Sequence, residues 1–198
     1  MDNVVDYIKK SFELKNQGYY KQAIEMLYKA LSIENDNLEI LAQLAHLYRL
    51  LNNFQRAVYY IEKVLDVDKT HLDCLLLLMD VYIAEQSLNE ACDVAERIYA
   101  IRPTPENLAE KIKLLNQLHQ LDKIIELENS EEDFSDVVLY EIAVAYFDSN
   151  NKQKSLQVLE KGLGKNDKNE KILLLLAKIY YEKNEHEKSK QIFFYTKK

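Results

Sequence analysis

The sequence predicts an all-α array of about six short helical hairpins stacked side by side, and three observations carry that expectation. Apolar residues recur at i, i+3, i+4 and i+7, as in Leu41, Leu44, Ala45 and Tyr48 or Leu173, Leu176, Ala177 and Tyr180, the spacing of one helical face. The pattern returns every 34 residues: Ala23, Ala57 and Ala91 share it, as do Tyr7, Leu41 and Leu75, then Leu14, Tyr48 and Tyr82, and further on Leu139 and Leu173. Only three Gly and two Pro occur in 198 residues, too few for the tight turns of an all-β fold.

The elements follow in order. The first repeat, about residues 4–37, carries Tyr7, Ser11 and Leu14 on one helix, turns at Gly18, and continues with Ala23, Leu27 and Ala30 on a second. The second, 38–71, has Leu41, Leu44-Ala45 and Tyr48, a turn at Asn52-Asn53, then Ala57 and Ile61. The third, 72–105, has Leu75, Leu78-Met79 and Tyr82, a polar turn at Gln86-Ser87, then Ala91 and Ala95, and runs out at Pro103-Thr104-Pro105. Asn and Gly tolerate the left-handed backbone that ends a helix. Asn35-Asp36-Asn37, Asp68-Lys69-Thr70 and Asn166-Asp167 supply breakers and capping oxygens between repeats.

The fourth repeat, about 105–135, is degenerate. His119 to Ile124 reads as its turn, with Ile124 in the small slot, yet Ala91 and Ser155 are four residues closer than two full periods. Those four residues are expected to be missing from its second helix, Lys123 to about Glu128, followed by a solvated acidic loop over Glu126–Asp136; a hinge between repeats 1–3 and repeats 5–6 is one consequence considered. The fifth repeat, 136–169, restores Leu139, Ile142-Ala143, Tyr146, Ser155 and Leu159. The sixth, 170–198, has Leu173, Leu176-Ala177, Tyr180, Ser189 and Phe193. One hairpin cannot bury its own apolar face, whereas stacked neighbours can, so all of 1–198 reads as one solenoid with a concave inner surface.

A 34-residue helix–turn–helix unit with large, small, aromatic and Ala-x-x-x-large slots resembles the tetratricopeptide repeat (TPR) family. The second repeat matches best: Leu41 stands in the Trp-like slot, Leu44-Ala45 in the Leu-Gly slot, Tyr48 in the Tyr slot, and Ala57 with Ile61 in the Ala and Phe slots. Pro103 fills the terminal Pro slot of the third. The usual Gly slot holds Ser11, Ala45, Met79, Ala143 and Ala177, and the bulky Met79 is expected to widen or tilt its repeat. The resemblance implies a right-handed α-α superhelix and a groove lined by first helices that holds an extended peptide or helix of a partner protein.

Carrying the family's groove slots over by phase gives Ile8, Phe12 and Lys15; Ala42, Gln43, His46 and Arg49; Asp73, Leu76, Asp80 and Ile83; and, in the fourth repeat, Ala109, Lys113 and Asn116. The fifth and sixth contribute Tyr140, Val144 and Phe147, then Leu174, Lys178 and Tyr181. Apolar and aromatic residues off the packing stripe point to a binding face; a superhelix closed over them, or a phase one residue off, is the competing reading. The family's carboxylate clamp for chaperone tails needs cationic and amide side chains where this chain has Ile8, Phe12, Gln43, Asp73 and Leu77, so the expected ligand is apolar or mixed.

Composition removes other classes. The net charge is −7, and an acidic chain repels phosphate backbones, so no nucleic-acid partner is expected. Residues 161–198 are basic, ten Lys/Arg against five Asp/Glu, but the Lys alternate with acids at helical spacing, as on a solvated face. Cys74 and Cys92 read as buried thiols of a reducing compartment. No apolar leader follows Met1 and the run Leu75–Met79 is too short for a bilayer, so a soluble cytoplasmic protein without membrane insertion is expected.

No catalytic residue, cofactor or metal site is expected. Gly162-Leu163-Gly164-Lys165 lacks the preceding strand and frame of a phosphate loop and reads as a helix C-cap. His46, His71, His119 and His186 are scattered, and Glu131-Glu132-Asp133 reads as a solvated loop. Phe193-Phe194-Tyr195 leaves a homodimer through the C-terminal end open beside ordinary packing. The functional expectation is a non-enzymatic adaptor or scaffold, with a self-assembling subunit or a chaperone or regulator of a larger machine as alternatives.

Overall fold

The computed structural model describes residues 3–130 and 133–195, and all regular structure among them is helical. Two units share the chain, Met1–Ile101 and Arg102–Lys198. The first holds α1 (Val4–Asn16), α2 (Tyr20–Leu31), α3 (Leu38–Leu50), α4 (Phe54–Val67), α5 (Leu72–Ala84) and α6 (Leu88–Ile101). The second holds α7 (Pro105–Gln117), α8 (Leu121–Ser130), α9 (Asp136–Asp148), α10 (Lys152–Lys165), α11 (Glu170–Glu182) and α12 (His186–Tyr195). In each unit consecutive helices pair as hairpins, and each hairpin stacks on the next.

Every hairpin turns in the same way. Gly18, Asn52, Gln86, His119, Asn150 and Asn184 all take positive φ, between 54° and 81°. The residue after each donates its N–H back across the turn to the carbonyl of Leu14, Tyr48, Tyr82, Leu115, Tyr146 or Tyr180 at 2.8–2.9 Å, which satisfies an orphan carbonyl at the helix end. At the other end of each first helix a side chain caps the exposed N–H groups: Asn3, Asn37, His71, Thr104, Ser135 and Asn169.

Cap and turn are always fifteen residues apart, so every first helix has one length and all irregularity falls in second halves. This corrects the expectation that α8 alone lost four residues. The stretch from turn to next cap is nineteen residues in the first, second and fifth repeats, eighteen from Gln86 to Thr104, and sixteen from His119 to Ser135. One residue is therefore missing from the short connection after α6 and three from α8 and its exit. With only Ile124 fully buried on α8, α7 packs directly on α9.

At both of its described ends the acidic stretch expected as a solvated loop is ordered. Glu126–Ser130 is helical, and Phe134 is buried. The Glu128 carboxylate accepts from the Tyr146 hydroxyl and lies 3.4 Å from Lys154 Nζ. Asp136 accepts from Asn166 Nδ2 at 2.9 Å and Asn169 Nδ2 at 2.8 Å, bonds that hold its carboxyl below the usual range. Glu131 and Glu132 lie outside the described residues.

The core is a ladder of repeat positions. Leu44, Ile61, Leu75 and Leu27 in the first unit and Ile142, Leu159 and Ile172 in the second are fully buried, each contributing about 1.5–3 kcal/mol by leaving water. The small slots let helices touch: Ala23, Ala57 and Ala91 are fully buried, and at the same slot Ser155 and Ser189 donate to the carbonyls of Ala143 and Ala177 at 2.8 Å. Met79 is half-buried where Ser11, Ala45, Ala143 and Ala177 are buried. The outer side of α1 differs from other first helices: Asp6, Lys10 and Glu13 are exposed, whereas the equivalent Ile40, Leu44 and Leu47 are buried.

Gly162 and Gly164 are not a C-cap. Both sit inside the last turns of α10, which Asn166 terminates, and Gly162 is buried so tightly that a Cβ there would lie 2.6 Å from Ile172 Cδ1. No helix among the described residues is long and apolar enough to cross a membrane.

Candidate functional site

First helices present to solvent the side that their hairpin partners do not cover. In the first unit this side forms a hollow of about 400 Å³ lined by Ser11, Phe12 and Lys15 of α1, Glu39, Ala42, Gln43, His46 and Leu47 of α3, and His71 and Asp73 at the start of α5. Phe12 is 55% exposed, with Lys15 Nζ 5.2 Å from its ring centre. Gln43 Nε2 donates to Glu39 Oε1 at 3.2 Å. Burial, with Lys15 and Arg49 nearby, holds the His46 imidazole below its usual pKa and therefore favours its neutral form. His71 is tied by Nδ1, which accepts from the Cys74 N–H.

Of the eleven residues expected on this face, Phe12, Lys15, Ala42, Gln43, His46 and Asp73 meet in the hollow. Ile8 packs partly against the core. Arg49 and Asp80 form an ion pair from α3 to α5; the contact lies off the Nε–H axis, so it is a charge contact and not a hydrogen bond. Leu76 is 38% exposed and Ile83 half-buried on α5, both outside the hollow.

The second unit repeats the arrangement with different chemistry. A hollow of about 510 Å³ is lined by Glu106, Ala109, Glu110, Lys113, Asn116 and Gln117 of α7, Val137, Tyr140, Glu141, Val144 and Asp148 of α9, and Lys171 of α11. Lys113, Tyr140 and Val144 are thus brought together. Phe147 lies beneath Lys178, whose Nζ is 4.5 Å from the ring centre, and Leu174 is exposed on α11. Tyr181 belongs to a separate hollow with His186, Ser189, Lys190 and Phe193 at the α11–α12 hairpin. The side chains of Phe194 and Tyr195 lie outside the described residues.

The sequence reading missed the carboxylates. Glu106, Glu110, Glu141 and Asp148 line the second hollow, and the clue was available: Glu110 and Glu141 each stand six residues after a cap, the register of Gln43. Lys113 Nζ lies 3.1 Å from Glu110, and Asn116 Nδ2 donates to Asp148 at 2.7 Å. Burial pushes the Glu141 carboxyl above its usual range, against a smaller opposing pull from Lys113 and Lys171. Cys74 is a buried thiol pushed up to about 11 by burial and by Asp73 and Asp68, while Cys92 is half-buried. Among the described residues no three His, Cys, Asp or Glu side chains group to hold a metal. Both hollows offer ring faces, amides and paired charges, the groups that hold a polypeptide chain by contact and hydrogen bonding.

A family model described as anaphase-promoting complex, cyclosome, subunit 3 matches residues 16–98. No curated protein matches the sequence. Among solved structures, a MamA protein is similar with a TM-score of 0.67 at 18% identity, over 83% of this chain and 92% of that one. YrrB, described as a TPR protein with an unusual peptide-binding site, is similar at 0.62 and 17% identity, over 86% and 90%. The first TPR of Spaghetti (RPAP3) bound to the HSP90 peptide SRMEEVD is similar at 0.54 and 21% identity, over 59% of this chain and 93% of that one. The chain thus has the fold of tetratricopeptide-repeat proteins.

Proposed function

We propose that the chain is a non-enzymatic adaptor that holds a segment of another protein against its first-helix faces. The observation that carries this reading is exposed apolar surface beside a formed hollow: Phe12 is 55% exposed in the first unit, and Tyr140 and Val144 line the second. Apolar side chains left open in a concavity signal a contact surface. The peptide-binding relatives of the same fold, YrrB and the RPAP3 repeat, support it. A net charge of −7 argues against a nucleic-acid partner, and a buried Cys74 outside any disulfide suits the cytoplasm.

The test begins with peptides selected from a displayed random library on the immobilised protein. Fluorescence anisotropy then compares wild type with Phe12→Ala and Tyr140→Ala. Loss of an anchoring aromatic costs about 1–2 kcal/mol or more, so each substitution is expected to weaken peptides seated on its own unit about tenfold, with circular dichroism unchanged. Unaltered affinity for every selected peptide in both variants rejects the reading.

A second reading is self-assembly through the C-terminal hairpin, favoured by the hollow at Tyr181, His186 and Phe193, where Phe193 is 46% exposed. Light scattering across concentration separates the two, since a strict monomer removes this one.

A further inference from the structure

We propose that the face formed by α7, α9 and α11 takes an extended segment with a basic side chain, its ammonium or guanidinium placed between Glu110 and Glu141 and its stem lying on Tyr140 and Val144. The inference rests on the groove reading above and names the partner's chemistry. Charge complementarity carries it. Glu106, Glu110, Glu141 and Asp148 face the hollow against only Lys113 and Lys171. The first unit's hollow has a smaller acidic excess, Glu39 and Asp73 against Lys15, beside the His46 imidazole held neutral.

Glu141 is the centre of the case. Glu110 already has Lys113 at 3.1 Å, and Asp148 has Asn116 at 2.7 Å. Glu141 is half-buried, yet among the described residues no group hydrogen-bonds or ion-pairs with its carboxylate. A carboxylate partly withdrawn from water without donors loses some of its hydration, and an incoming cation that donates to it replaces that loss with a charge-assisted hydrogen bond. Glu110 sits at the same register on the neighbouring first helix, so the two carboxylates face one space. The half-buried Tyr140 and Val144 beside them suit the aliphatic stem of Lys or Arg.

The experiment uses the full chain and three labelled peptides of one length on an extended Val/Leu background, identical except for a central Lys, Gln or Glu. Anisotropy is expected to rank them Lys, Gln, Glu, with about tenfold between the first two and a Lys preference that fades as salt is raised. Glu141→Gln, which keeps shape, should erase the Lys-over-Gln difference, and Glu110→Gln should reduce it. Tyr140→Ala should weaken all three together. Preference for the Glu peptide, or a Lys preference that survives both Glu substitutions, overturns the inference. Equal binding of all three that still depends on Tyr140 overturns it while leaving the groove reading standing; binding indifferent to Tyr140, or none by any peptide, removes both for this unit.

Discussion

Single residues decide how closely the helices approach, and Gly162 shows it. Read in the sequence, Gly162 and Gly164 look alike, two breakers beside a Lys. The fold separates them: Gly162 is pressed against Ile172, while a Cβ at Gly164 would meet nothing within 4 Å. Neither carries the left-handed backbone of a cap, so replacement is a matter of packing and helix propensity alone. Gly164→Ala is expected to stabilise the chain by about 0.5–1 kcal/mol, the propensity gain of Ala over Gly in a helix. Gly162→Val is expected to destabilise by about 1–3 kcal/mol, since its branches have no room beside Ile172 and Leu139. Urea denaturation of both variants checks this, and equal shifts for the two would deny the close contact. The misreading of this motif had a physical cause: the partner that forbids a side chain at 162 lies on the next helix, out of sight of local sequence.

At the level of the element, the hairpin is defined by a fixed interval from cap to left-handed turn. Gly18, Asn52, Asn150 and Asn184 announce that turn by residue type, and Gln86 and His119 do not; only register places them. Asn52→Gly is expected to be neutral or mildly stabilising, and Asn52→Ala to cost about 1 kcal/mol, because a Cβ without a local hydrogen-bonding side chain is strained at φ 54°. Thermal melts of the two variants decide it, and identical melting temperatures would contradict the turn geometry.

Aromatic slots reinforce the hairpins from outside. Arg56, Lys154 and Lys188 each lie over the ring eight residues back, Tyr48, Tyr146 and Tyr180, at 5.2–5.7 Å. The third repeat lacks this device, since Glu90 follows Tyr82 at that spacing; burial first, then Glu62 and Glu90, push the Tyr82 hydroxyl above its usual pKa. The Tyr48 hydroxyl also joins Tyr28 and Arg56 at 2.8 and 2.7 Å, and Tyr28 continues to Tyr60 at 2.9 Å. Such a side-chain chain links three helices and was invisible to a reading by slots.

For the molecule as a whole, the all-helical array and its repeat phase were legible because one period governs both burial and turns. The irregular region was legible only as a deficit of four residues. Where that deficit fell depended on Glu128 and Asp136 finding partners on α9, α10 and the α10–α11 connection and on the burial of Phe134, and acidic composition alone resembles a solvated loop. The candidate site was legible in part. Aromatic slots such as Phe12 and Tyr140 stand out against a polar surface, whereas carboxylates such as Glu141 look like any solvated charge until neighbouring helices half-bury them.

Stacking hides second-helix apolar faces and leaves first-helix faces open, and it is there that we place the partner. Amide chemical-shift mapping of the labelled full chain with a library-selected peptide tests it most directly. Perturbations are expected to concentrate on Phe12, Gln43 and His46, or on Lys113, Tyr140, Glu141 and Val144, according to the unit the peptide occupies. Perturbations concentrated instead on the second helices, at Tyr28, Tyr59 and Lys63, would contradict it.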